Sequence, residues 1–196
     1  MTTSISFGHQ LPGDDELRLC GELGDGMRAI ELGIGEHENA LAMAATGAKA
    51  IAVDPRPDAI RAVRSAAAER ELTVQCQQAD LADLGFATSA SIDLVVADRT
   101  IHAGDDVDRL FRQVHRVIKS GRPFVVVVPH PFTHVYRSEA DGVAATPYGR
   151  GHHTVGEWFI HLSRANFRVD QILELGVGDE SPIPTTLILR AIAEGD

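Results

Sequence analysis

The chain has 196 residues, of which 18 are Lys or Arg and 28 are Asp or Glu, giving a formal net charge of −10. This length fits one domain with its own core, and the acidic balance disfavours nucleic acid, whose phosphates would meet a repulsive average field. Cys20 and Cys76 lack metal-ligand spacing and the N-terminus lacks an apolar signal core, which predicts buried thiols, no metal site, no membrane partner and a soluble, cytoplasmic protein. The first predicted element is a helix over Asp14–Leu23, with His9 and Gln10 before it. From Arg28 onward apolar strands alternate with helical patterns, the signature of an α/β fold whose mostly parallel sheet carries helices on both faces.

The first strand runs into Glu31-Leu32-Gly33-Ile34-Gly35. Two closely spaced glycines permit a sharp turn and let a ligand approach the main chain, and the next helix start offers unpaired N–H groups. A dinucleotide fingerprint would place a third glycine at position 38, where this chain has Glu38. Glu36 and Glu38 at that helix start would repel a diphosphate, which favours a neutral or cationic ligand. The second strand, Lys49–Val53, leads to Asp54, nineteen residues after Gly35, where a carboxylate can accept both hydroxyls of a ribose. Pro57 suits the start of a helix over Asp58–Arg70 that buries Ile60, Val63 and Ala67. The third strand, Leu72–Gln77, is followed by Ala79-Asp80-Leu81, so a further acid joins the same rim.

Ser91–Asp98 reads as the fourth strand and Asp105–Lys119 as a helix with Val107, Leu110, Phe111, Val114 and Ile118 inward. Phe124–Pro129 is the fifth strand. Pro129–Gly151 then loses helical and strand period and is expected to be a substrate-covering element, because it follows the carboxyl end of a strand. Thr154–Asn166 restores a helical stripe, with Trp158 in the packing and Asn166 as a left-handed cap. Two closing strands, Phe167–Leu175 and Thr185–Ile192, complete the set.

Taken together, these motifs resemble the class I S-adenosylmethionine-dependent methyltransferases, whose first motif is an acid, a variable residue and then GxG at the end of the first strand. Ser91–Asp98 resembles the family's fourth-strand motif, Arg99–His102 its loop facing the methyl group, and Ile118–Phe124 its turn before the fifth strand. The resemblance implies a Rossmann-like, doubly wound sheet of seven strands with an antiparallel terminal pair, over a single domain spanning 1–196. It also implies S-adenosyl-L-methionine as cofactor. Glu31, Gly33, Gly35, Asp54, Pro55, Asp80, Leu81 and Asp98 become the expected cofactor-binding residues. Where the family often has a third glycine, this chain has His37.

A methylsulfonium is already an activated electrophile, so positioning, worth on the order of 7 to 11 kcal/mol, matters more than a base, worth about 100- to 10,000-fold. If a base exists it is expected past the fourth or fifth strand, which selects His130 first, with His134 and His102 beside it. Arg99 is expected to pair with Asp98 or else to bind the acceptor, together with Tyr136 and His152 as substrate-binding candidates. The expected activity is methyl transfer to a small-molecule acceptor at oxygen or nitrogen, with a homodimer compatible with the chain. Two alternatives stay open: a noncatalytic cofactor-binding regulatory module, and a nicotinamide-dependent oxidoreductase.

Overall fold

A computed structural model describes residues 4–139, 142–178 and 181–195. The main sheet has seven strands in the order β3-β2-β1-β4-β5-β9-β8. β1 (Arg28–Leu32), β2 (Lys49–Asp54), β3 (Val74–Gln78), β4 (Leu94–Asp98) and β5 (Pro123–Pro129) run parallel, while β9 (Thr186–Ala193) is antiparallel to both β5 and β8 (Phe167–Leu175). This is the doubly wound sheet with an antiparallel end that the resemblance implies.

Strands β4 and β5 are apolar almost throughout and β1 is buried beyond Arg28, as strands covered on both faces must be. Alternate residues divide between two cores. Ala29 faces α2 (Asn39–Ala45), α3 (Pro57–Glu69) and the N-terminal residues Ile5, Phe7 and Leu19. Ile30 and Leu32 face α4 (Val107–Val117) and α6 (Val155–Arg164), where Phe111 meets Phe124 edge to face at 5.4 Å. Trp158 is 4 % exposed and belongs to this packing. Thr154 opens α6 with a capping box: its side chain accepts from Glu157 N while the Glu157 carboxylate accepts from Thr154 N. Asn166, with φ 64°, follows the helix in the left-handed conformation predicted for it.

Two elements differ from the sequence expectation. Helix α1 covers only Asp14–Leu17, because Arg18 turns left-handed and the Asp14 carboxylate accepts from Leu19 N at 2.7 Å and Cys20 N at 2.9 Å. Cys20 is therefore buried beside a wrapped turn and not on a helix. Pro129–Gly151, expected to be aperiodic, carries the short helix α5 (Phe132–Val135) and an antiparallel ladder of β6 (Tyr136–Glu139) with β7 (Gly142–Ala145). Four-residue elements are too short to establish a period. Residues 140 and 141 lie outside the described residues.

Among the described residues no helix is long and apolar enough to cross a membrane. Nor do any three His, Cys, Asp or Glu side chains come together to hold a metal ion.

Candidate active site

Strand order reverses between β1 and β4, and a cavity of about 690 Å³ opens there at the carboxyl edge of the sheet. Its walls are the Gly33–His37 turn, Asp54–Arg56, Asp80–Ala82, Asp98–Thr100, His102, Asp105 and Asp106, with Arg109 and Leu110 from the first turn of α4. The motifs read separately along the sequence thus converge on one rim.

The glycine turn is pressed against the end of β4. Gly33, at φ 79°, donates to Val53 O at 2.8 Å, and a β-carbon on it would stand 2.3 Å from Thr100 Cβ. At Gly35 a β-carbon would stand 2.9 Å from the Asp98 carbonyl oxygen. Both glycines line the cavity, but the first demand for their missing side chains comes from the protein itself.

Glu31 is 1 % exposed and does not line the cavity. Its two carboxylate oxygens accept from Asn39 N at 2.9 Å and Ala40 N at 2.8 Å, so it caps α2 from the neighbouring strand. Burial pushes its pKa up to about 7, against the lowering effect of those N–H groups and with help from the Asp98 charge. The leading N–H groups of α2 are therefore already taken. A diphosphate would find them closed, which opposes the nicotinamide alternative more directly than the charges of Glu36 and Glu38 do.

Asp54 is 2 % exposed at the end of β2. Its Oδ2 accepts from Ile34 N at 2.8 Å and Arg56 Nη2 at 2.8 Å; its Oδ1 accepts from Arg56 N at 2.8 Å and Arg56 Nε at 2.9 Å. Burial raises its pKa, but the Arg56 side chain and the two N–H groups outweigh burial and hold the carboxyl below its ordinary range. Sequence reasoning missed Arg56. The signal was available in Asp54-Pro55-Arg56-Pro57, where prolines on both sides fix an arginine next to the acid.

Arg99 pairs with Asp98, Nη1 to Oδ1 at 2.8 Å, and also donates to Phe7 O at 2.6 Å and Thr186 Oγ1 at 2.7 Å. Its guanidinium is a brace between the N-terminal segment, β4 and β9. Asp98 is 2 % exposed; burial raises its pKa, the charges of Arg99 and His37 offset this, and Glu36 adds to it. Asp80 is exposed on the cavity wall, with Oδ1 accepting from Ala82 N at 2.9 Å, beside the half-buried Leu81.

Of the three histidines selected as bases, only His102 lines the cavity, in a turn where its N–H donates to Asp105 Oδ2 at 2.7 Å. His130 is fully buried; Nδ1 accepts from Phe132 N at 3.2 Å and Nε2 donates to Glu174 Oε1 at 2.7 Å. His134 stacks on His152 with ring centroids 4.5 Å apart, and burial followed by the His152 charge lowers its pKa. His152 accepts from Gly149 N and donates to Arg150 O. Tyr136 pairs with Ala145 in the β6–β7 ladder. The structure therefore gathers His130, Phe132, Tyr148, His152 and His134 into an aromatic stack, and among the described residues none of these lies on the cavity wall.

The residues at the rim fit S-adenosylmethionine in charge and shape. A buried carboxylate ends β2, apolar Pro55, Leu81 and Leu110 provide a slot, and Glu36, Asp80 and Asp98 supply negative potential for a cation. Residues 30–126 match the family described as "Methyltransferase domain". The uncharacterized protein YafE of Escherichia coli (strain K12) is 27% identical over 128 residues, which are 63% of this chain and 61% of that protein, so the match spans less than two thirds of YafE. An S-adenosylmethionine-dependent methyltransferase from Mesorhizobium loti superposes with a TM-score of 0.73 at 23% identity, covering 91% of this chain and 96% of the other. A putative one from Listeria monocytogenes gives 0.76 at 17% identity, covering 93% and 98%.

Proposed function

We propose that the chain, whose residues 30–126 match a methyltransferase domain, is a class I S-adenosylmethionine-dependent methyltransferase that methylates a small-molecule acceptor at oxygen or nitrogen. The observation that carries the small-molecule reading is the charge of the cavity. Glu36, Asp54, Asp80, Asp98, Asp105 and Asp106 line it against Arg56, Arg99 and Arg109, and the first two of these arginines are each paired with an aspartate. A polyanionic acceptor would be repelled from such a rim.

When bound, S-adenosylmethionine supplies a methyl group already activated by the sulfonium charge. On this reading Asp54 holds the ribose, Pro55, Asp80 and Leu81 take the adenine, and Gly33, Gly35 and Asp98 border the methionine part. Glu31 acts one step back, fixing α2 and thereby the turn. His102 is the base, since it stands on the cavity wall and no side-chain hydrogen bond occupies its ring among the described residues. His130, with both ring nitrogens engaged, is read as a support for the segment after β5.

The chain is read as one domain in which Pro129–Gly151 covers the acceptor side. What supports this is register: Asp98 pairs with Val127, so the segment leaves β5 on the same edge as the cavity. The direct test is release of S-adenosylhomocysteine from S-adenosylmethionine with panels of small alcohols, phenols, acids and amines, against tRNA, DNA and protein. Turnover only on a macromolecule, or only at carbon, would overturn the reading.

A further inference from the structure

Arg56 covers the acid that the proposed function assigns to the ribose. Its Nε and Nη2 reach one oxygen each of Asp54, at 2.9 and 2.8 Å, and Nη2 also donates to Ile34 O at 2.7 Å. With the main-chain N–H groups of Ile34 and Arg56, each carboxylate oxygen receives two donors. A carboxylate offers about four acceptor sites in all, so Asp54 has none left for a diol.

We propose that Arg56 is a placeholder for the donor's ribose, which the two ribose hydroxyls displace one for one from Asp54. The inference rests on the reading of Asp54 as the ribose holder. Three features favour exchange over permanent blockage. The two main-chain donors stay wherever the side chain goes, so Asp54 keeps half its hydrogen bonds throughout. The Arg56 side chain is 63 % exposed and Asp54 only 2 %, so the guanidinium lies on the solvent side and can leave without opening the core. Pro55 and Pro57 hold Arg56 extended at φ −80° and ψ 117°, which confines the change to side-chain rotation.

Such a placeholder keeps a buried carboxylate satisfied while the ribose is absent, which limits the cost of holding an acid ready in a buried place. It also sets affinity as a difference between two pairings of the same acid. Ligands without the two hydroxyls cannot replace what they displace.

Calorimetric titration with S-adenosylhomocysteine tests this. Arg56→Ala is expected to bind about fivefold more tightly than the parent, the scale of an exposed ion pair, and Arg56→Lys to fall between them. In an Asp54→Ala background, removing Arg56 should change nothing. Unchanged or weaker binding by Arg56→Ala, with Asp54→Ala weakened, would overturn the placeholder and leave the ribose assignment standing. Unchanged binding by Asp54→Ala would overturn both. If circular dichroism shows that Asp54→Ala is unfolded, Asp54→Asn keeps the shape and serves the same comparison.

Discussion

Gly33 and Thr100 approach so closely that a β-carbon on the glycine would stand 2.3 Å from that of the threonine, whose hydroxyl donates to Leu32 O at 2.5 Å. Gly33→Ala therefore meets both a clash and a positive φ, and is expected to cost about 2 to 4 kcal/mol in urea unfolding. Adding Thr100→Gly should recover the part due to the clash and leave the part due to φ. A single variant as stable as the parent would refute the close approach.

Asp54→Ala removes the carboxylate and strands Ile34 N. Losing a charge-assisted, two-point hydrogen bond costs about 1.5 to 3 kcal/mol or more, so affinity for S-adenosylhomocysteine should fall roughly ten- to more than a hundredfold. Calorimetry on a variant shown to be folded checks it.

Glu31 links the site to pH. Its pKa rises from 4.5 to about 7 in the folded chain, so the folded state holds the proton more tightly than the unfolded state does. Its contribution is fully present below pH 4.5 and is lost as pH rises through about 7, a change of about 3 kcal/mol. Glu31→Gln cannot titrate. The stability difference between variant and parent should therefore shift in favour of Gln by that amount across the interval, read from denaturation curves at each pH.

His102 and His130 are separated by chemical rescue. If His102 takes the acceptor proton, His102→Ala should lower turnover about 100-fold with donor affinity unchanged, and added imidazole should restore part of the rate. His130→Ala should lose stability and show no such rescue, because its bonds to Glu174 and Phe132 are structural. Imidazole rescue of His130→Ala alone would reverse the assignment.

His153 makes the α6 side sensitive to acid. Its buried Nε2 has no partner among the described residues, and its ring lies 4.9 Å from Trp158 and 5.0 Å from His161. Burial, then the charge of His161, lowers its pKa below 6.5; Glu157 and Asp108 act oppositely and His152 adds to the lowering. The unfolded chain thus binds this proton more readily, and stability is lost as pH falls from 6.5 through the folded value. His153→Phe should flatten that acid limb in thermal melts, and an unchanged limb would exclude His153 as its source.

The parallel sheet was legible because strands buried on both faces, such as β4 and β5, read as continuous apolar runs, and the antiparallel edge strand β8 also agrees residue for residue with Phe167–Leu175. Asp54, Asp80 and Asp98 were legible because strand ends announce themselves. What escaped notice depends on direction. The sequence places Glu31 in a motif, but only the side-chain alternation of β1 turns it toward α2. The histidines after β5 cluster in sequence and in space, yet they stack on each other and on Phe132 and Tyr148. Arg56 escaped notice because an arginine beside an acid looks like ordinary surface unless the flanking Pro55 and Pro57 are weighed with it.

The brace formed by Arg99 also governs the order of assembly. Its partners lie 92 residues upstream at Phe7 and 87 downstream at Thr186, and Arg190 reaches Leu19 across 171. The N-terminal segment therefore has no completed seat until β9 has paired with β5. Contacts of such separation close late, so secondary structure should regain its full signal in refolding before the cavity can bind ligand.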